Sequence, residues 1–317
     1  MSAESCSPDP GPSAGLSYDL AATTFKKLHP TTFLRRFLDS GIREDGRQLT
    51  TFRSTSISVG GIATADGSCL VRMGSTTVIA AIKAEIAQPH LARPQEGYVI
   101  PNVELSPISS GRFKPGPPTD EAQVLTDTLL TFLNSSGALP RKSLCIKPGH
   151  SAWCLYVDVT CLSYDGNVID AAVLASLGAL RNTRLPRVWY DEDSSQTLCS
   201  SEDSEKAPLA LLNAPLLASF GIFEQTHLLA DPAAFESVLL DSHISIGVSL
   251  SPEPGRDSRI IFLRQNGRIR ATTCESGSQV SRKDAQVVQF CIERAQSRCQ
   301  QLFDLLIQAE RERPSKT

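Results

Sequence analysis

Residues 152–180 run from an apolar, β-branched stretch, AWCLYVDVTCL, through SYDGN into an alanine-rich apolar pattern, VIDAAVLASLGAL. The first part reads as a strand, the Asp-Gly-Asn run as a turn, and the last part as a helix. A strand that enters a helix through so short a turn commits the chain to packing helix against sheet in one unit. The same junction raises a chemical question, because backbone N–H groups and the helix dipole converge there into an anion site. Here Asp165 precedes the turn and Asp170 opens the helix, so two carboxylates would repel a phosphate. Val168 and Ile169 supply neither hydroxyl nor cation. The residues therefore predict a loop that turns the chain, with Asp170 capping the helix by the protein's own charge.

The 317 residues suffice for one large domain or two ordinary ones, and 41% hydrophobic content is ample for real cores. Lys and Arg total 31 against 34 Asp and Glu, so any contact with nucleic acid must be local rather than a polybasic face. Nine cysteines are scattered without a C-x-x-C pair, and Cys69, Cys154, Cys161, Cys291 and Cys299 lie in apolar segments. They predict buried, reduced thiols of an intracellular protein. No apolar run approaches the roughly 20 residues of a membrane span, and no apolar signal core opens the chain. Neither membrane insertion nor secretion is expected.

Ser, Pro and Gly dominate the N-terminus, so residues 1–24 are expected to be a disordered tail. A first domain follows over 25–190. It opens on a helix carrying Phe33, Leu34, Phe37 and Leu38 and ending at Gly41. An antiparallel meander over 52–86 comes next, with Asp66-Gly67 as its hairpin signal. A proline-rich irregular stretch spans 88–118, and Thr119 caps a helix to about Asn134. Residues 191–207, acidic and Ser-rich without period, read as a linker or long surface loop. The second domain, 208–317, offers strands in PLLASFGIFEQTHLLADP, SHISIGVSL and RIIFLRQNGRIRATT before a long C-terminal helix. That helix has a capping-box pattern at Ser281 and Asp284, and an apolar stripe through Val288, Ile292, Ala295, Cys299, Leu302 and Leu306. One-sided packing on its own sheet is the favoured use of the stripe.

No P-loop, dinucleotide fingerprint, H-E-x-x-H or G-x-S-x-G occurs, and His29, His90, His150, His227 and His243 are dispersed. Arg43, Asp45 and Arg47 read as a turn held by local ion pairs in preference to an RNA contact. Arg112 and Lys114 flank Phe113 in the loop GRFKPGPP, beside a helix start. Two readings stand for them: phosphate contact with stacking on RNA, and pairing of Arg112 with an acid.

The order of five segments resembles the RNase PH family: REDGRQLTTFR (43–53), TADGSCLVRMGSTTVIAAIKAEI (64–86), EGYVIPNVELSPISSGRFKPGPPTDEAQ (96–123), VDVTCLSYDGNVIDAA (157–172) and LLADP (228–232). The resemblance extends from about Phe33 to Leu306 and implies an α+β, RNase PH-like fold. Such a fold has a βαβ core like the second domain of ribosomal protein S5, followed by a smaller α+β lobe. Active members cleave RNA from its 3′ end with inorganic phosphate as nucleophile. They carry an Asp-Gly-Gly-Thr-Arg element where this chain has Asp165 to Asp170, with Val168 and Ile169 in place of the phosphate-holding Thr and Arg. They also carry two aspartates about six residues apart; Asp231 matches the first, and Ser237 stands at the second, with Glu236 adjacent as a stand-in acid. The departures imply a catalytically inactive subunit without metal or cofactor, of the kind that builds the ring of the eukaryotic RNA exosome. Its implied partners are other RNase PH-like subunits in a six-membered ring, S1/KH-type cap subunits and single-stranded RNA. Its implied location is the nucleus, including the nucleolus, and the cytoplasm. The alternative is an active phosphate-dependent 3′ to 5′ exoribonuclease.

Overall fold

The computed structural model describes residues 22–192, 196–200, 205–251, 258–268 and 280–312, with side chains of the last segment from residue 286. Residues 1–21 of the expected tail, part of the acidic stretch and the side chains of the Ser281–Asp284 capping pattern lie outside the described residues. Contacts divide the chain at Thr51/Phe52 into two compact units.

In the first unit, α1 (22–28) leads to α2 (Pro30–Asp39), which opens on Pro30, where the missing N–H is no loss. Phe25, Phe33 and Phe37 form a tilted ring ladder, and Lys26 pairs with Glu44 at 2.5 Å. Arg47 donates from Nε to Asp45 Oδ2 at 2.5 Å, and Gly46 takes a left-handed φ of +80°. The turn held by a local ion pair is therefore present.

The described residues of the second unit, 52–317, form two larger sheets and two small ribbons. Strands β1 (Thr55–Val59), β2 (Gly67–Met73), β3 (Thr76–Ala87), β6 (Ser151–Ser163) and β4 (Tyr98–Leu105) pair in that order, and β5 (Cys145–Lys147) pairs with β6. All pairs are antiparallel except β4 with β6, which are parallel and joined through α3 (Asp120–Ser136) as a βαβ unit. Strands β12 (His227–Ala230), β11 (Ala214–Phe223), β13 (Ser242–Leu250) and β14 (Arg259–Gly267) form the second, antiparallel sheet. Two small ribbons complete the strands: β7 (Arg184–Leu185) with β10 (Ala207–Pro208), and β8 (Val188–Asp191) with β9 (Gln196–Cys199).

Between the sheets lies α4 (Val168–Asn182), packed on β2 and β3 on one side and β11 on the other. Its residues from Asp170 to Leu180 are all buried, which is what an all-round apolar helix requires. Gly67 makes room for its C-terminal end, since a Cβ there would sit 2.3 Å from Thr183 Oγ1. The long helix α6 (Val280–Arg311) covers the far face of β11 and β13 with Cys291, Ala295, Cys299, Leu302 and Leu306 buried, so its stripe serves its own sheet. Held between two helices, β11 is buried at all ten positions.

Three local expectations change. The tight hairpin lies at Gly74-Ser75, where Gly74 takes φ +57°, whereas Asp66 ends a longer connection and accepts from Ala84 N at 2.9 Å. Strand β4 runs through the stretch read as irregular, and its Pro101 is tolerated because β4 stands at the end of the strand order. Within the acidic stretch, β9 pairs with β8; its largely exposed positions give no alternation of burial to read.

Candidate functional site

The turn before α4 and the segment after β12 are brought side by side by the two sheets. Gly166, at φ +76°, lies so near the start of α5 (Ala234–Ser237) that a Cβ would meet Ala234 N at 2.5 Å. Ala234 N donates to Asp165 O at 3.2 Å. The structure thus brings the Asp165–Asn167 turn beside Asp231 and the start of α5, the short helix that Ser237 ends. Asn167 and Asp231 both adopt left-handed backbone, at φ 50° and 49°, and Asn167 Nδ2 donates to Asp231 Oδ1 at 2.6 Å. Asn and Asp are among the few non-glycine residues that accept this conformation.

At the centre is Arg53, just before β1. Its Nε donates to Asp231 Oδ2 and its Nη2 to Asp231 Oδ1, each at 2.8 Å. The same guanidinium donates from Nη1 to Thr76 Oγ1 at 3.1 Å and Asp165 O at 2.9 Å, and from Nη2 to Gly166 O at 3.2 Å. All five of its N–H donors are thereby used. Arg53 is 6% exposed and Asp231 fully buried. The loop before α4 turns its carbonyls inward, so the group it holds is a cation of the chain itself. Burial alone would push Asp231 upward, but the hydrogen bonds and charge of Arg53 outweigh it and hold the carboxyl at about 2.

Asp170 is not the helix cap. The helix begins at Val168 with Asn167 in the capping position, because Asn167 takes the left-handed turn that lets α4 start earlier. Asp170 sits in the first turn, and its Oδ2 accepts from Ser219 N and Asn167 Nδ2, both at 2.8 Å. Its Oδ1 accepts from Ser219 Oγ at 2.7 Å, tying α4 to β11. Burial outweighs these bonds and raises its carboxyl to about 6.

A second cation comes from α6. Arg298 Nη2 donates to Arg53 O at 3.1 Å and Thr55 Oγ1 at 2.7 Å, while its guanidinium lies 5.0 Å from the Phe52 ring centroid. Burial lowers its pKa. Glu236, the stand-in acid, is 3% exposed and accepts from Ala233 N at 2.8 Å, closing the first turn of α5. Ser237 ends that turn, Val168 is buried, and Ile169 packs against the core. The site can hold charge and fix two sheets together. Among the described residues its two cations, Arg53 and Arg298, are both buried.

Of the two RNA candidates, Arg112 pairs with Glu121 and lies over the rings of Phe113 and Tyr164, 5.3 and 5.1 Å from their centroids. Phe113 is only 5% exposed and packs edge-to-face with Tyr164, so it is core and not a stacking platform. Tyr164 donates to Glu121 Oε1 at 2.7 Å; burial first, then this bond, raises its hydroxyl to about 12. Lys114 is exposed beside Pro115, Pro117 and Pro118. Among the described residues no three His, Cys, Asp or Glu side chains converge as a metal site.

Sequence reading missed Arg53, Arg298 and Ser219. Arg298 carried a signal, because it falls on the apolar face of its helix, one residue before Cys299. Arg53 carried none beyond its place at the end of the REDGRQLTTFR segment.

Residues 51–186 match the 3′ exoribonuclease family, domain 1. The chain is 39% identical to the exosome complex component rrp43 of Schizosaccharomyces pombe over 72% of its own length and 83% of the relative's. It is 36% identical to the exosome complex component Rrp42 of Saccharolobus islandicus over 73% and 80% of the two chains. Among solved structures it is similar to the Archaeoglobus fulgidus exosome with RNA bound to the active site. There the TM-score is 0.70, at 25% identity, covering 86% of this chain and 96% of that one. An archaeal exosome core matches in fold at TM-score 0.66 and 22% identity, covering 90% and 99%.

Proposed function

Since the chain belongs to the RNase PH family, we propose that it is a structural subunit of the RNA exosome ring. In this reading it works by assembly with other RNase PH-like subunits and by lining a channel for single-stranded RNA, in support of 3′ to 5′ RNA processing. The named relatives, exosome components matched over most of their length, support the ring role.

The chain itself is read as catalytically inactive. The observation that carries this is the buried Arg53–Asp231 pair: the candidate acid is neutralised by a guanidinium whose donors are already used. A phosphate arriving at the turn would meet the part-exposed Asp165 carboxylate, since the carbonyls of Asp165 and Gly166 are taken by Arg53, Val168 is buried and Ile169 packs against the core. Glu236 does not replace the missing acid, since it is spent on the start of α5. Cap subunits of the S1/KH type, contact of Arg112 and Lys114 with RNA, and residence in nucleus, nucleolus and cytoplasm belong to the same proposal.

Reconstitution tests the ring role. Co-expression with the RNase PH-like exosome subunits of the same source should yield a six-membered ring by native mass spectrometry, and omission of this chain should leave smaller assemblies. A complete ring formed without it would refute the role.

A further inference from the structure

Away from the ion network, a hollow of about 600 Å³ opens between the C-terminal end of α3 and one face of α4. Its floor is aliphatic, formed by Leu133, Leu139, Val173, Leu177 and Leu211. Its rim is basic, with Arg93, Arg141 and Lys142 against the single carboxylate of Glu96. A second hollow of about 390 Å³, lined by His90 and Tyr98, shares Arg93, Glu96 and Arg141 with the first, so the two adjoin at these side chains and are taken together as one groove. Arg93 is 66% exposed and stands 3.7 Å from Glu96. Arg141 Nη2 is held by Asn134 Oδ1 at 2.6 Å, which fixes its guanidinium at the junction of the two hollows.

We propose that this groove docks an extended, acidic peptide segment of a partner protein. One aliphatic side chain of leucine size enters the larger hollow, and flanking carboxylates lie over Arg141, Lys142 and Arg93. The volume falls within the range of sites that enclose a small ligand, so a leucine side chain enters without clash. The charge excess at the rim sets the sign of the partner and its register. Two adjoining hollows, one with an apolar floor, offer successive side chains of an extended chain separate seats. Single-stranded RNA fits less well: it needs aromatic surfaces for successive bases along a continuous basic track, whereas the larger hollow has an aliphatic floor and no aromatic ring, and the smaller offers only Tyr98 and His90. The inference concerns a face separate from the ion network and stands whether or not the chain is catalytic.

The test is fluorescence anisotropy with the full chain and a fluorescein-labelled, end-blocked peptide, Glu-Asp-Leu-Leu-Asp-Glu. Three probes run beside it: the same peptide with both leucines replaced by alanine, one with lysine at every acidic position, and a labelled oligouridylate. The proposal expects saturable binding of the first peptide, weakened roughly tenfold or more by either change in the peptide. Arg141→Glu and, separately, Lys142→Glu should weaken it similarly; because Lys142 is exposed, its variant tests the groove even if the other loses its fold. Absence of saturable binding overturns the proposal, as does equal binding of the alanine or lysine peptide. Oligouridylate that displaces the peptide and is itself lost on Lys142→Glu assigns the groove to RNA and overturns it too.

Discussion

Arg53 and Asp231 meet through two parallel hydrogen bonds of 2.8 Å across 178 residues of chain. The pair joins the start of β1 in one sheet to the end of β12 in the other, and Arg298 of α6 fastens the backbone of Arg53 from behind. A charge so deeply placed is tolerable only while its partner remains. Arg53→Met should therefore destabilise the protein by about 3–5 kcal/mol. Arg53→Lys should recover only part of that, since an ammonium cannot reproduce the planar fork or all five contacts. Urea denaturation of the three proteins checks both statements; an Arg53→Met variant as stable as the parent would refute the first.

Asp170 and Asp231 give opposite pH dependences. Asp170 binds its proton more tightly folded than unfolded, because its carboxyl is raised from 3.8 to about 6. Its contribution to stability therefore falls as pH rises from about 4 to 6, and a penalty on the order of 3 kcal/mol is fully present above that window. Asp231, held at about 2, contributes stability that is present above pH 4 and is lost as pH falls toward 2. Urea unfolding from pH 4 to 7 should show the parent losing on the order of 2–3 kcal/mol relative to Asp170→Asn. A pH-independent difference would contradict the assignment.

Gly166 is required twice over, by its φ of +76° and by the 2.5 Å that would separate a Cβ from Ala234 N. Backbone cannot withdraw as a flexible side chain would. Gly166→Ala should cost about 1–3 kcal/mol, read as a lowered melting temperature, whereas Gly111→Ala, with open space around it and no left-handed φ, should cost far less.

Arg112 is half exposed, and its pair with Glu121 is worth on the order of 0–1 kcal/mol, so Arg112→Ala should barely change stability. Glu121→Gln removes the charge that occupies the guanidinium. In the assembled ring this variant should retain single-stranded RNA more strongly at low salt, and Arg112→Ala less strongly. Crosslinking to labelled RNA reads both, and unchanged yields would remove Arg112 from the RNA path.

Much of the architecture was legible because burial writes a period into sequence. The alanine-rich, largely apolar run 168–180 read as a helix packed on a sheet, and the stripe on α6 read as facing its own sheet in preference to a partner helix. Strand β4 was hidden by Pro101, whose penalty vanishes at the end of a strand order that only the folded sheet reveals. The site was half legible. Asp165, Val168, Ile169 and Asp231 could be located along the chain, but Asp170 was misread as a cap because the left-handed Asn167 moves the helix start. Arg53 was invisible for a different reason: a lone arginine beside a strand looks solvated until the partner that buries it, far away in sequence, is in place.

The most direct measurement is phosphorolysis by the purified chain of a 5′-labelled single-stranded RNA, with and without phosphate and Mg²⁺, beside an active family member. The Arg53–Asp231 closure predicts no 3′ shortening and no nucleoside diphosphate release while the control digests its substrate. Phosphate-dependent shortening that disappears with Asp231→Asn would contradict it and return Asp231 to catalysis.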